Sequence, residues 1–290
     1  MKLVVKFNLV FIGVFVVGLV VAGFVSFTLL QNNARDEIVQ NARIMMEAAL
    51  STRSYTSTQI KPLLDTQMKY VFLPQSVPAY AAAEYFNDLR QKYPEYSYKE
   101  ATLNPTNPRD RASDWEADLI GRFRQDLGQK EVLGERDTPT GRALYLARPI
   151  QVKSESCLSC HSTVDAAPRT MLEHYGNANG FGWKLNEVVG AQIMSVPTAV
   201  PIQRANDAFR VFMLSLTGIF AFIFIALNLM LQYIVIRPVT RLSHLADRVS
   251  LGELDVPEFG ARGRDEIGVL AQSFGRLRKS LAKAMKMLED

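Results

Sequence analysis

FNLVFIGVFVVGLVVAGFVSFTLLQNNA, residues 7–34, is a run of 28 residues without an acid or a base. A second run, VFMLSLTGIFAFIFIALNLMLQYIVI at residues 211–236, is 26 residues long and equally free of charge. Each exceeds the about 20 apolar residues that cross a hydrocarbon core. A solvated surface does not leave such gaps in a chain that is 21% charged, which argues against a wholly soluble protein. The first run begins like a secretory signal, and Val20-Val21-Ala22 loosely resembles a cleavage site. Its apolar part continues to Leu30, beyond the roughly 7–15 residues of a signal core, so an uncleaved anchor is expected. Gly13, Gly18 and Gly23 are five apart rather than four. They miss the small-xxx-small packing pattern and are expected to be merely tolerated in lipid.

The two runs partition the charge. Residues 1–6 carry Lys2 and Lys6 and no acid; residues 31–210 carry 21 bases and 21 acids; residues 237–290 carry 10 bases and 8 acids. The net charge of +4 thus sits on the two outer pieces, and basic residues beside a span favour the cytoplasmic side. This predicts five parts in a bacterial inner membrane: a cytoplasmic tip (1–6), a transmembrane helix (7–30), a periplasmic domain (31–210), a second transmembrane helix (211–236) and a cytoplasmic tail (237–290). Lipid is then a partner and nucleic acid is not, because no basic patch is interleaved with aromatics.

Inside the exported part, Ile38, Ala42, Met45, Met46 and Ala49 recur at helical spacing. They predict a helix over 31–59 that stops at Pro62 and continues the first span. A helix over 78–93, an extended segment over 96–103, a turn at Asn104-Pro105-Thr106-Asn107-Pro108 and a capping-box helix from Ser113 and Glu116 to about Leu127 follow. Strands are expected over 143–150, ended by Pro149, and 188–196, ended by Pro197. One mixed α and β domain accommodates them all.

Both cysteines fall in Cys157-Leu158-Ser159-Cys160-His161. A Cys-x-x-Cys pair alone suits a redox disulfide or half a zinc site, but the following histidine makes the pattern of c-type haem attachment. Two thiols meet two vinyl groups of one haem, and His161 swings beneath the ring to the iron. Redox use wants a helix start in a βαβ setting, which Lys153-Ser154-Glu155-Ser156 does not clearly provide. Structural zinc wants four ligands, which Cys157, Cys160, His161 and His174 would reach only with crowding. Covalent haem is attached outside the bacterial cytoplasm, which agrees with the charge partition. His174, Met45, Met46, Met68, Met171 and Met194 all stay open as second ligand; His174 also reads as a solvated helix end, and a Met on an apolar stripe is usually core.

Arg53-Ser54-Tyr55-Thr56, the stretch Tyr98 to Asn107, Cys157 to His161 and Gly180-Phe181-Gly182-Trp183-Lys184-Leu185 together resemble the c-type haem sensor domains long classed as of unknown function, related to a cyanobacterial photosystem-associated c-haem protein. The resemblance spans about residues 35–203. It implies an α+β, PAS-like fold with one covalent haem. It also implies, for some members, a cysteine thiolate from the early helix as second iron ligand. Here both cysteines are already consumed, and the matching stretch Ile44-Met45-Met46-Glu47 puts Met46 first and Met45 next. Arg53, seven residues after Met46, shares its helical face and is placed to meet a haem propionate.

The tail resembles a HAMP linker. Arg237-Pro238-Val239, then Leu242, Ala246 and Val249, then Gly252-Glu253-Leu254 and Asp265-Glu266-Ile267-Gly268 are its landmarks. Ile267, Leu270, Phe274, Leu277, Leu281, Ala284 and Leu288 alternate at three and four, a seam that must be buried. A parallel four-helix bundle from two chains is the expected state, with a plain coiled-coil dimeriser as the simpler alternative. His244 suggests a kinase, but 290 residues leave no room for an ATP-binding domain, so no enzymatic output is expected. The reading that results is a homodimeric inner-membrane sensor of redox state or gas, acting on a separate cytoplasmic partner. The alternatives are an anchored electron-transfer cytochrome fed by a quinol or periplasmic donor, and a small-ligand receptor with structural haem.

Overall fold

The computed structural model describes residues 3–257 and 265–289. The chain divides into two compact units, Thr28–Ala208 on the one hand and Met1–Phe27 with Phe209–Asp290 on the other.

Helix α1 (Leu3–Tyr55) is a single helix of 53 residues. Within Thr28–Ala208 it buries Ala34, Ile38, Ala42, Met46 and Ala49; the last four belong to the expected stripe, whose Met45 is only half-buried. The expected stop at Pro62 is not there. A π-helical segment, Thr56–Ile60, leads into α2 (Lys61–Leu64), with Pro62 in its first turn. Proline lacks an N–H, and its ring clashes with the carbonyl four residues back. The π turn removes the conflict by shifting the bonding to five residues, and the Lys61 amide donates to the Thr56 carbonyl. The same device recurs later: a π segment over Leu231–Ile236, then Arg237 donating to the Gln232 carbonyl, then Pro238 in the first turn of the next helix.

After α2 come α3 (Pro78–Lys92), β1 (Ser97–Thr102), α4 (Asp114–Gln125), β2 (Val132–Thr138), β3 (Gly141–Gln151), α5 (Glu155–His161), α6 (Arg169–Tyr175) and β4 (Val188–Pro197). The four strands form one antiparallel sheet in the order β1-β4-β3-β2, so the domain is a mixed helix and sheet structure. Strand alternation gives each face its own core. Tyr98, Leu144, Leu146, Met194 and Val196 meet α1 and α3 through Met46, Ala49, Ala82 and Phe86. Ala101, Ala147, Ala191 and Ile193 meet α4 through Leu119, Ile120 and Phe123. Glu116 accepts the Ser113 amide at 2.8 Å, the capping contact read from the sequence, and also takes Lys99 Nζ at 2.7 Å. Pro149 does not end β3, which runs on to Gln151. Its partner on the β2 side has already ended, since Val132 pairs with Ala147; no ladder bond is lost there.

In the other unit, α7 (Ala199–Met230) packs its later part against the first part of α1. Phe15 stacks on Phe220 at 5.1 Å and Phe27 meets Phe209 edge-on at 5.4 Å. Gly18 and Gly23 are not simply tolerated in lipid: a Cβ on them would lie 3.6 Å from Phe220 and 3.3 Å from Met213. Both helices are long and apolar enough to cross a membrane. In α8 (Arg237–Ser250) and α9 (Glu266–Glu289), Leu245 and Val249 form a small core with Val256, Leu254 and Phe274. Leu270, Leu277 and Leu281 remain exposed. The Leu288 side chain of the expected seam lies outside the described residues, as does Lys2 of the expected tip.

Candidate functional site

Helix α5 carries both cysteines and His161. A helix does start where the sequence did not clearly provide one, because Ser154 caps it and its hydroxyl accepts the Ser156 amide at 3.2 Å. The sheet contains no parallel pair, so the βαβ setting of a thioredoxin-like motif is missing among the described residues. Cys157 and Cys160 are free and half-buried. Three residues apart on one helix, they share a face.

His161 is held from outside α5. Its Nδ1 lies 2.7 Å from the Gly180 carbonyl oxygen. A carbonyl only accepts, so Nδ1 carries the proton and Nε2 keeps its lone pair. Burial pushes the imidazole below its ordinary value despite that bond, which keeps it in the neutral, ligating form. The Trp183 indole lies over the ring, centroids 4.0 Å apart and planes 13° from parallel.

The other predicted residues lie on α1. Met46 is wholly enclosed in the core shared with α3 and the sheet, and Met45 is half-buried against that same core. Arg53 is ion-paired with Glu100. Tyr98 donates to Glu100 at 2.7 Å, and Gln192 donates to the Tyr98 oxygen at 3.1 Å. Burial, then Glu100, hold the Tyr98 phenol far above its ordinary value. Burial alone would lower Arg53; Glu100 and Tyr98 outweigh it, and Cys157 is close enough to contribute to the same field. Of the predicted residues on α1, Arg53 is therefore the one the structure brings towards α5. Met46 lies about 10 Å back along the helix from it.

Sequence reasoning named Glu100 only as part of a motif and missed its role as the counter-charge of Arg53. Asp110, also unpredicted, is pushed up to about 6 by burial, with Glu100 adding to the rise against Arg109 and Lys99. The other methionine and histidine candidates have the following surroundings. Met68 Sδ accepts from the Leu73 amide and the Ser76 hydroxyl, Met171 and Met194 are buried, and exposed His174 packs between Phe72 and Tyr175. Among the described residues no three His, Cys, Asp or Glu side chains converge where a metal ion could sit.

These residues fit a covalent haem. The paired thiols and a histidine presenting Nε2 are its donor set, and Thr106, beside Gly180, carries a buried hydroxyl without a partner. The Tll0287-like family model matches residues 31–197, more than half of the chain. The chain belongs to the Tll0287-like family. A HAMP domain model matches residues 230–283, so this Tll0287-like chain joins its family domain to a signalling module of a kind that dimerises. Neither is an enzyme family. The solved structure of the cyanobacterial haem protein Tll0287 is similar at 14% identity, over 56% of this chain and 95% of its own, with a TM-score of 0.44. No curated protein matches the chain.

Proposed function

We propose that the chain is a transmembrane haem-based redox or gas sensor, with the Tll0287-like domain as periplasmic input and HAMP as cytoplasmic transmitter. The observation that carries this is His161 donating Nδ1–H to Gly180 beside two free thiols on one turn of helix, in a chain that also contains HAMP. Tll0287, for which the family is named, is a haem protein. Cys157 and Cys160 would hold one haem c through thioethers and His161 through Nε2. When bound, haem supplies one-electron chemistry and an iron site for diatomic gases.

The chain's own residues do the rest. Arg53 would offer its guanidinium to a propionate while Glu100, its ion-pair partner, balances it. Met46, on the stretch that matches the one supplying a thiolate in some members, would be the second ligand and half-buried Met45 the next; to reach iron the Met46 side chain would have to leave the enclosed core. Met46 and Arg53 sit on the same unbroken helix as the first span, so a haem ligand gained or lost there would act on that span. Such a switch needs two states of different ligand or electron affinity. The sheet with helices on both faces supports a PAS-like domain, and exposed Leu270, Leu277 and Leu281 support a parallel four-helix bundle in a homodimer. The five parts 1–6, 7–30, 31–210, 211–236 and 237–290 follow, in a bacterial inner membrane with both termini cytoplasmic. The bundle would address a separate signalling protein.

The test is purification from membranes, denaturation, and absorption and mass measurement of the polypeptide. Haem retained after denaturation and lost in Cys157→Ser and Cys160→Ser is the expected result; a haem-free polypeptide overturns the proposal. Spectra of oxidised and reduced protein with CO or NO then separate gas from redox sensing. Met46→Ala should alter the low-spin spectrum, and an unchanged spectrum removes Met46 from the ligand set.

A further inference from the structure

Gly180-Phe181-Gly182-Trp183 closes on the end of α5 at four points. The Gly180 carbonyl takes His161 Nδ1, the Gly182 amide donates to the Ser162 carbonyl at 2.8 Å, the Trp183 amide donates to the His161 carbonyl at 3.1 Å, and the indole covers the imidazole. Two of these satisfy carbonyls at the helix end that have no partner within the helix. The backbone makes this possible through φ of +89° at Gly180 and +81° at Gly182, values that L side chains rarely adopt. A Cβ on Gly180 would also run into Thr106.

The two tryptophans of the chain have different surroundings. Trp115 packs on the core beneath α4, whereas Trp183 belongs to neither core cluster of the domain. Its described ring partner is His161. A histidine's second torsion is broad and two-fold, so one hydrogen bond from Nδ1 leaves the ring free to rock about that bond. A flat indole at 4.0 Å removes this freedom.

We infer that Trp183 is the positioning residue of His161: it fixes the imidazole plane and keeps Nδ1 aimed at the Gly180 carbonyl. The inference rests on the haem reading of the same site. A hydrogen bond from the outer nitrogen of a ligating histidine raises ligand basicity and sets ring orientation. Trp183 therefore acts on the iron through His161 without touching it.

The experiment uses the full-length, haem-loaded protein with Trp183→Ala, Trp183→Leu and Trp183→Phe. Covalent haem content, redox midpoint and the EPR anisotropy of the ferric form are measured on each. Trp183→Ala and Trp183→Leu should load haem, broaden or shift the ferric g-values, and move the reduction equilibrium about tenfold towards ferrous, ~59 mV for one electron. Trp183→Phe, which keeps a flat face, should restore both readouts. Wild-type g-values and midpoint in either Trp183→Ala or Trp183→Leu would overturn the inference. Trp183→Leu fills the space without a flat face, so it decides the matter if Trp183→Ala fails to accumulate. Absence of covalent haem in the unsubstituted protein would instead defeat the functional reading, so the two failures are told apart.

Discussion

Phe86 in Thr28–Ala208 is 1% exposed, and Phe222 in the unit that holds the spans is 73% exposed. The first unit completes its core within one chain, on both faces of its sheet. The second leaves apolar side chains outward along α7 and again along α9, where Leu277 is 65% exposed. In the proposed function that apolar surface is finished by something other than this chain: hydrocarbon for the long helices, and a second HAMP segment for α9. That reading gives haem chemistry to the unit with a core on both faces of its sheet, and signalling to the unit whose apolar surface faces outward.

The sharpest way to break this contrast is to truncate the two phenylalanines. Phe86→Ala should cost about 3–5 kcal/mol, measured by denaturant unfolding in detergent. Phe222→Ala should stay within about 0.5 kcal/mol; equal losses would show that α7 has a protein partner along that face. Next in size is Arg53→Ala, which leaves the Glu100 carboxylate buried without its cation and should cost about 3 kcal/mol. Arg169→Ala, from the exposed pair with Glu173, should change stability by less than about 1 kcal/mol. If both melt like the wild type, the Arg53–Glu100 pair does not form.

Leu277→Asp should leave the unfolding of Thr28–Ala208 unchanged and weaken dimerisation at least tenfold, about 1.4 kcal/mol. Cross-linking in membranes would reveal it, and undiminished dimers would move the seam elsewhere. The smallest effect is a pH dependence confined to the sensor domain. Asp110 is pushed up to about 6 from 3.8, so the folded state holds this proton more tightly than the unfolded chain does. Its contribution is present below pH 4, is lost as the pH rises to 6, and is flat above that. Linkage alone gives about 3 kcal/mol for that rise, and screening of the partly exposed carboxyl reduces it, so Asp110→Asn should remove a drift of about 1 kcal/mol over that window; an unchanged profile would show that Asp110 titrates normally.

Local signals were legible where one helix or strand carried them. Ile38, Ala42, Met46 and Ala49 declared the buried stripe of α1, Glu116 declared the start of α4, and Val188 to Val196 declared β4. The Cys157 to His161 pentapeptide and the Asp265 to Gly268 landmark likewise needed no partner to be read. Strand β2 was not legible. Gly134 and the charged Glu135, Arg136 and Asp137 weaken its pattern, and it exists by pairing with β3 and by Glu135 taking Arg142 at 2.9 Å. The union of Arg53 with Glu100, 47 residues apart, lies beyond any helical spacing. Trp183 was quoted as part of a motif, but its place over His161 depends on two left-handed glycines. The π turns were invisible because their cause, a proline one turn later, normally signals an ending.

Those π turns have a geometric consequence. Each accommodates one residue more than the α repeat allows, and one residue is about 100° of helix. The stripe of Leu242, Leu245 and Val249 is therefore clocked against α7 by an insertion within Leu231–Ile236. Deleting a single residue there would be a rotation rather than a shortening. The chain thus holds, just before Pro238, a phase setting that its sequence length alone determines.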